Sequence, residues 1–106
     1  MTPAAAIGLA PSLSVAPATV KRGHLVTIRG SADGCPAGDR VTLISRAFRH
    51  AHDFAGLPAV FATVRAGGAF RTTTRIPLGK KPGRYAVTAR CGGGNLGVSA
   101  RLKVIA

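Results

Sequence analysis

The sequence predicts an all-β fold, a seven-stranded antiparallel β-sandwich, on three observations. Short runs with an apolar residue at every second position recur along the chain, and that period belongs to half-buried strands. Fourteen glycines and seven prolines punctuate it at short intervals, as tight turns between many strands require. No stretch carries the 3.6-residue apolar period of an amphipathic helix. The length of 106 residues suits one domain with one core.

The elements follow in order. Residues 1–10 (MTPAAAIGLA) are Ala-rich and uncharged. They lack the positive start of a whole signal peptide and are expected to be a flexible arm or the remnant of such a peptide, with the domain spanning 11–106. Residues 12–16 (SLSVA) alternate as a first strand, interrupted by Pro17, which suits an edge strand that kinks or switches sheets. Residues 24–29 (HLVTIR) form a second, with Val26 and Ile28 inward. A loop rich in turn residues (GSADGCPAG) leads to a third strand at 40–46 (RVTLISR), with Val41 and Leu43 inward.

Residues 48–58 (FRHAHDFAGLP) show no clean period and are expected to be a long loop, with room for one small strand or helix. Strands follow at 59–65 (AVFATVR) and 70–76 (FRTTTRI), joined by an AGGA turn. The sixth, 84–91 (RYAVTARC), sets Tyr85, Val87, Ala89 and Cys91 on one face. A glycine-rich turn over 92–97 precedes the last strand, 97–105 (GVSARLKVI), with Val98, Ala100, Leu102 and Val104 inward.

Cys35 and Cys91 each stand at a strand end, far apart in sequence. They point to one disulfide across the sandwich, and hence to an oxidising compartment, secreted or at a cell surface. Closing a loop of about 55 residues stabilises by about 4 kcal/mol in the chain-entropy model. No apolar run approaches the ~20 residues of a membrane helix.

Charge is the other marked property. Fifteen Lys and Arg, eleven of them Arg, face three Asp and no Glu, for a net charge of +12. Such a field attracts polyanions: nucleic acid, acidic glycan, teichoic acid, anionic lipid or an acidic protein surface. Catalysis finds no support. Both cysteines are better used in a disulfide, no serine sits in a G-x-S-x-G context, and Asp33 and Asp39 are placed to support turns. No cofactor motif is present; Gly92-Gly93-Gly94 precedes Asn95 rather than a helix, so it lacks the N-terminus that a phosphate cradle needs. The one ligand-like cluster is His50, His52 and Asp53 (HAHD). On an extended strand its two imidazoles would share a side, a weak metal signal against that of two solvated histidines.

The stretches LSVAPAT (13–19), GHLVTIRG (23–30), CPAG (35–38), GGAF (67–70), PGRYAVT (82–88) and LKV (102–104) together resemble bacterial immunoglobulin-like domains of secreted and cell-surface proteins. The resemblance implies an immunoglobulin-like sandwich that serves as an adhesive, spacer or structural module, on a cell envelope or a virion. It implies a structural Tyr85 whose hydroxyl bonds backbone near the preceding turn. It also makes the third, sixth and seventh strands neighbours in one sheet. Arg40, Arg46, Arg84, Arg90, Arg101 and Lys103 would then form a basic outward plane, free of interleaved aromatics and so unsuited to base stacking. Arg29, Arg65, Arg71 and Arg75 would decorate the other sheet.

The first half is also similar to the neocarzinostatin type of chromophore-binding apoprotein, although a single distant cysteine pair and a basic charge depart from that pattern. The expectation is therefore a non-catalytic extracellular module whose basic surface docks an acidic partner. A polyanion binder, with DNA or acidic glycan as ligand, is the alternative, and a small-molecule carrier the third.

Overall fold

A computed structural model describes residues 10–32, 34–91 and 94–106. Of the expected N-terminal arm only Ala10 falls within them; Asp33, Gly92 and Gly93 also lie outside the described residues. The fold is all-β, with nine strands among the described residues: β1 (Ser12–Ala16), β2 (Thr19–Lys21), β3 (Leu25–Ser31), β4 (Arg40–Ile44), β5 (His52–Phe54), β6 (Leu57–Thr63), β7 (Ala69–Arg75), β8 (Gly83–Cys91) and β9 (Gly94–Ile105). They form a three-stranded sheet in the order β1-β3-β7 and a six-stranded sheet in the order β2-β9-β8-β4-β6-β5.

Nine strands replace the expected seven for two local reasons. The chain breaks at Pro17, which has no N–H to give to a ladder. Upstream, β1 pairs antiparallel with β3. Downstream, β2 crosses to the other sheet and pairs parallel with β9. The second reason is the 48–58 segment, expected as a loop, where β5 and the start of β6 form a hairpin with Phe54 opposite Leu57. Its turn is Ala55-Gly56, both at positive φ, a conformation that suits a two-residue hairpin turn. The last strand also starts earlier than expected, at Gly94.

Period-2 burial holds along both sheets. Val26, Ile28 and Phe70 from the smaller sheet meet Val41, Leu43, Val87, Ala89, Leu102 and Val104 from the larger in one buried cluster. Phe48 and Phe70 are its largest members. With a single Tyr and no Trp, branched aliphatics and alanine fill the rest.

The Cys35–Cys91 disulfide joins the loop after β3 to the end of β8, with Cα atoms 6.3 Å apart. It ties the two sheets together. At the opposite end of β8 the Tyr85 hydroxyl donates to the Lys81 carbonyl at 2.5 Å. No helix among the described residues is long and apolar enough to cross a membrane.

Candidate functional site

The outward face of the six-stranded sheet collects the cations that the strand phase sorts away from the core. On β8, Arg84 and Arg90 alternate with the inward Tyr85, Val87 and Ala89; on β9, Arg101 and Lys103 alternate with the buried Leu102 and Val104. Register sets their neighbours: Arg84 lies opposite Lys103, Ala86 opposite Arg101, and Arg90 opposite Asn95. Between Thr88 and Arg90 the ladder shifts register. β9 absorbs the extra residues there with Gly97 at φ +75°, a value a side chain would strain, and the Gly97 N–H is met by the Asn95 side chain at 2.8 Å. This irregularity sets Arg90 opposite Asn95, while on its other side the unbroken β4–β8 ladder sets it opposite Thr42.

Arg40 opens β4 on the same face. Arg46 lies beyond the end of β4, in the turn that follows, rather than within the expected strand. Its carbonyl accepts a bond from Lys80 Nζ at 2.6 Å. It still borders the face, because Ile44, Arg46, Leu57, Arg84, Ala86 and Thr88 line one shallow depression of about 280 Å³. Of the six cations expected here, Arg90 is half-buried and the other five are exposed.

The expectation of a face without aromatics is overturned. The Arg40 guanidinium lies 4.2 Å from the centroid of Phe61, and that of Arg90 lies 4.9 Å from the centroid of Phe54. The His52 ring stacks on Phe61, with centroids 4.0 Å apart and planes 19° from parallel.

The cause is the β5–β6 hairpin. Phe61 stands opposite Thr42, and His52 and Phe54 of β5 point to the same side. Ile44 (7% exposed) and Ala59 (0%) share this outer side, outside the main core, so a second, thin apolar layer lies beneath the arginines. One signal for Phe61 was present in the sequence: Val60, Ala62 and Val64 alternate inward, which turns Phe61 outward. Nothing in the irregular 48–58 run announced Phe54 or His52 as its companions.

The two candidate metal ligands are not brought to a common point. His50 precedes β5 and its Nε2 is 2.7 Å from Asp53 Oδ1. The other Asp53 oxygen accepts the Gly56 N–H at 3.2 Å. These two bonds, the His50 one foremost, hold the Asp53 carboxyl below its usual range. His52 is engaged with Phe61 instead. Among the described residues the one grouping of three potential ligand residues is Cys35, Asp39 and Cys91; the two sulfurs are bonded to each other and so are no thiolates for a metal.

No protein-family model and no curated protein sequence matches the chain. Solved structures do. Part of InvD from Yersinia pseudotuberculosis is similar at TM-score 0.65 and 16% identity, over 89% of this chain and 27% of that one. Part of the alkylpurine DNA glycosylase AlkC of Pseudomonas fluorescens, bound to DNA containing an abasic site analog, is similar at TM-score 0.61 and 20% identity, over 92% of this chain and 31% of that one. Macromomycin is similar at TM-score 0.56 and 17% identity, over 89% of this chain and 96% of its own. This chain thus spans less than a third of InvD and of AlkC. At these identities the likeness is one of fold.

Proposed function

We propose that this chain is a non-catalytic, extracellular immunoglobulin-like module that docks an acidic partner through the outer face of its six-stranded sheet. The strand order supports the immunoglobulin-like reading. β1, β3 and β7 occupy the A, B and E places; β9, β8 and β4 occupy G, F and C; β6 and β5 widen the second sheet as extra strands do in variable-type domains. The disulfide fits an extracellular setting. The fold is shared by proteins as different as InvD, macromomycin and a DNA-bound glycosylase, so it does not choose the function; the face must.

The carrying observation is that Arg40 and Arg90 are held over Phe61 and Phe54 on the face that also carries Arg84, Arg101 and Lys103. A guanidinium resting on a ring has already lost much of its side-chain freedom, so less entropy remains to lose when a carboxylate arrives. Its planar fork donates two parallel hydrogen bonds to that carboxylate.

The alternative, a polyanion binder for DNA or acidic glycan, uses the same cations. Stacking of bases is disfavoured because the Phe61 ring is already engaged by both Arg40 and His52. The carrier reading has less support, since Phe48, Phe70, Leu43 and Leu102 fill the space between the sheets.

The test is a salt series of binding to an acidic protein, duplex DNA, a sulfated glycan and anionic vesicles, repeated with Arg40, Arg84, Arg101 and Lys103 reversed to Glu. The proposal expects binding to the acidic protein to persist near 0.15 M salt, where the screening length is about 8 Å, and to fall at least tenfold in the reversed variant. Tight binding confined to DNA or glycan would establish the alternative. Unchanged binding after reversal would remove this face from the function.

A further inference from the structure

The smaller sheet carries a second cationic arrangement that the proposed docking face does not use. Its outward side is built in rows. In one row Ser12 of β1 stands opposite Ser31 of β3, and their hydroxyls bond at 3.2 Å. Two rows along, Thr27 of β3 stands opposite Thr73 of β7, with hydroxyls 3.4 Å apart. Each of these rows satisfies itself across the strands.

The row between them cannot. It sets Ser14 opposite Arg29, and Arg29 directly opposite Arg71. Like charges in directly opposed positions destabilise a sheet, and the chain's net charge of +12 worsens the repulsion. No ion pair joins Arg29, Arg65 or Arg71 to a carboxylate among the described residues. Arg65 arrives from the β6–β7 turn, where its N–H bonds the Ala69 carbonyl at 2.7 Å. All three arginines and Ser14 line one open depression of about 440 Å³. The Ser14 hydroxyl spends its proton only on a long 3.4 Å contact with the Arg29 carbonyl.

We propose that Arg29, Arg65 and Arg71, with the Ser14 hydroxyl, form a binding site for a tetrahedral oxyanion, a sulfate or phosphate group. Three guanidinium forks and a hydroxyl offer more N–H and O–H donors than one carboxylate can accept, whereas four tetrahedral oxygens present acceptors in every direction. The anion turns the Arg29–Arg71 repulsion into two attractions to a shared charge. A row that costs stability when empty becomes a source of it when filled. The site lies on the sheet opposite the proposed docking face, so either can fail without the other.

The test is thermal unfolding of the disulfide-bonded protein in sodium sulfate and, separately, sodium phosphate. Sodium chloride and sodium acetate at equal ionic strength separate specific binding from screening. The wild type is expected to gain stability from sulfate or phosphate along a saturating curve that chloride and acetate do not reproduce. R71Q is expected to unfold at a slightly higher temperature than wild type without the oxyanion, because a like charge is gone, yet to bind it at least tenfold more weakly. R29Q should match it, while R101Q, on the other sheet, keeps the full response. A response in wild type that follows ionic strength alone overturns the site. So does an undiminished saturating response in both R71Q and R29Q. Saturation by one of the two ions and not the other identifies which ester to seek in the natural ligand.

Discussion

The outer faces of the two sheets are both arginine-rich but differently built. On the three-stranded sheet, arginines stand among serine and threonine hydroxyls, and Arg29 confronts Arg71. On the six-stranded sheet, the β5–β6 hairpin brings in Phe54, His52 and Phe61, and Arg40 and Arg90 lie on their rings. The lesson is that a strand arginine takes its character from its lateral neighbours. Beside rings it is oriented and partly desolvated; beside another arginine it is solvated and repelled. The first arrangement suits a broad acidic surface, the second a single compact anion.

The largest effect should come from uncoupling the two sheets. Replacing Cys35 and Cys91 by Ala, or reducing the bond, opens a loop with a sequence separation of 56. We expect a loss of about 4 kcal/mol, read as a lowered urea midpoint with a steeper slope, because the denatured chain without its cross-link is more expanded. A loss under about 1 kcal/mol would mean that the shared core alone holds the sheets together.

An intermediate effect should separate the sheets by their tolerance of one methyl group. A Cβ on Gly30 would sit 1.9 Å from the Ser12 carbonyl oxygen and 2.9 Å from Phe70. Gly30→Ala should therefore push β1 off β3, at a cost of about 1–3 kcal/mol, and speed amide exchange along β1. Gly83, on β8, has only Tyr85 within reach, at 3.9 Å, so Gly83→Ala should stay within about 0.5 kcal/mol of wild type. Equal costs at the two sites would erase the contrast.

The smallest effect sharpens the claim about rings. A double-mutant cycle with Arg40→Ala and Phe61→Leu should give a coupling of about 0.5–1 kcal/mol. The same cycle between Arg101 and Phe61, which the register places on distant strands, should give none. Absence of coupling in the first pair would reduce Arg40 to an ordinary solvated cation and weaken the preorganisation argument.

Much of the architecture was legible in the chain itself. Alternation alone determined that the fold is all-β, that Val26, Ile28, Val41, Leu43, Val87 and Leu102 face a core, and that Arg84, Arg101 and Lys103 turn away from it. The two cysteines at strand ends announced their bond. These are properties of a period-2 backbone, which tells a residue's side from its position in the run.

Only the tertiary structure decided who stands next to whom. Pro17 marked where the first strand would kink or switch sheets, but pairing joins segments far apart in sequence, so the parallel docking of β2 on β9 was visible only in the fold. The irregular 48–58 run carries no period, because β5 is a three-residue edge strand and its rings, His52 and Phe54, lie on the sheet's outer side with Phe61 rather than in the main core. That is why the rings beside Arg40 and Arg90 escaped a reading by alternation, and why the opposition of Arg29 to Arg71 became visible only in register. Side is a local property of the chain; neighbourhood across strands is a property of the whole fold.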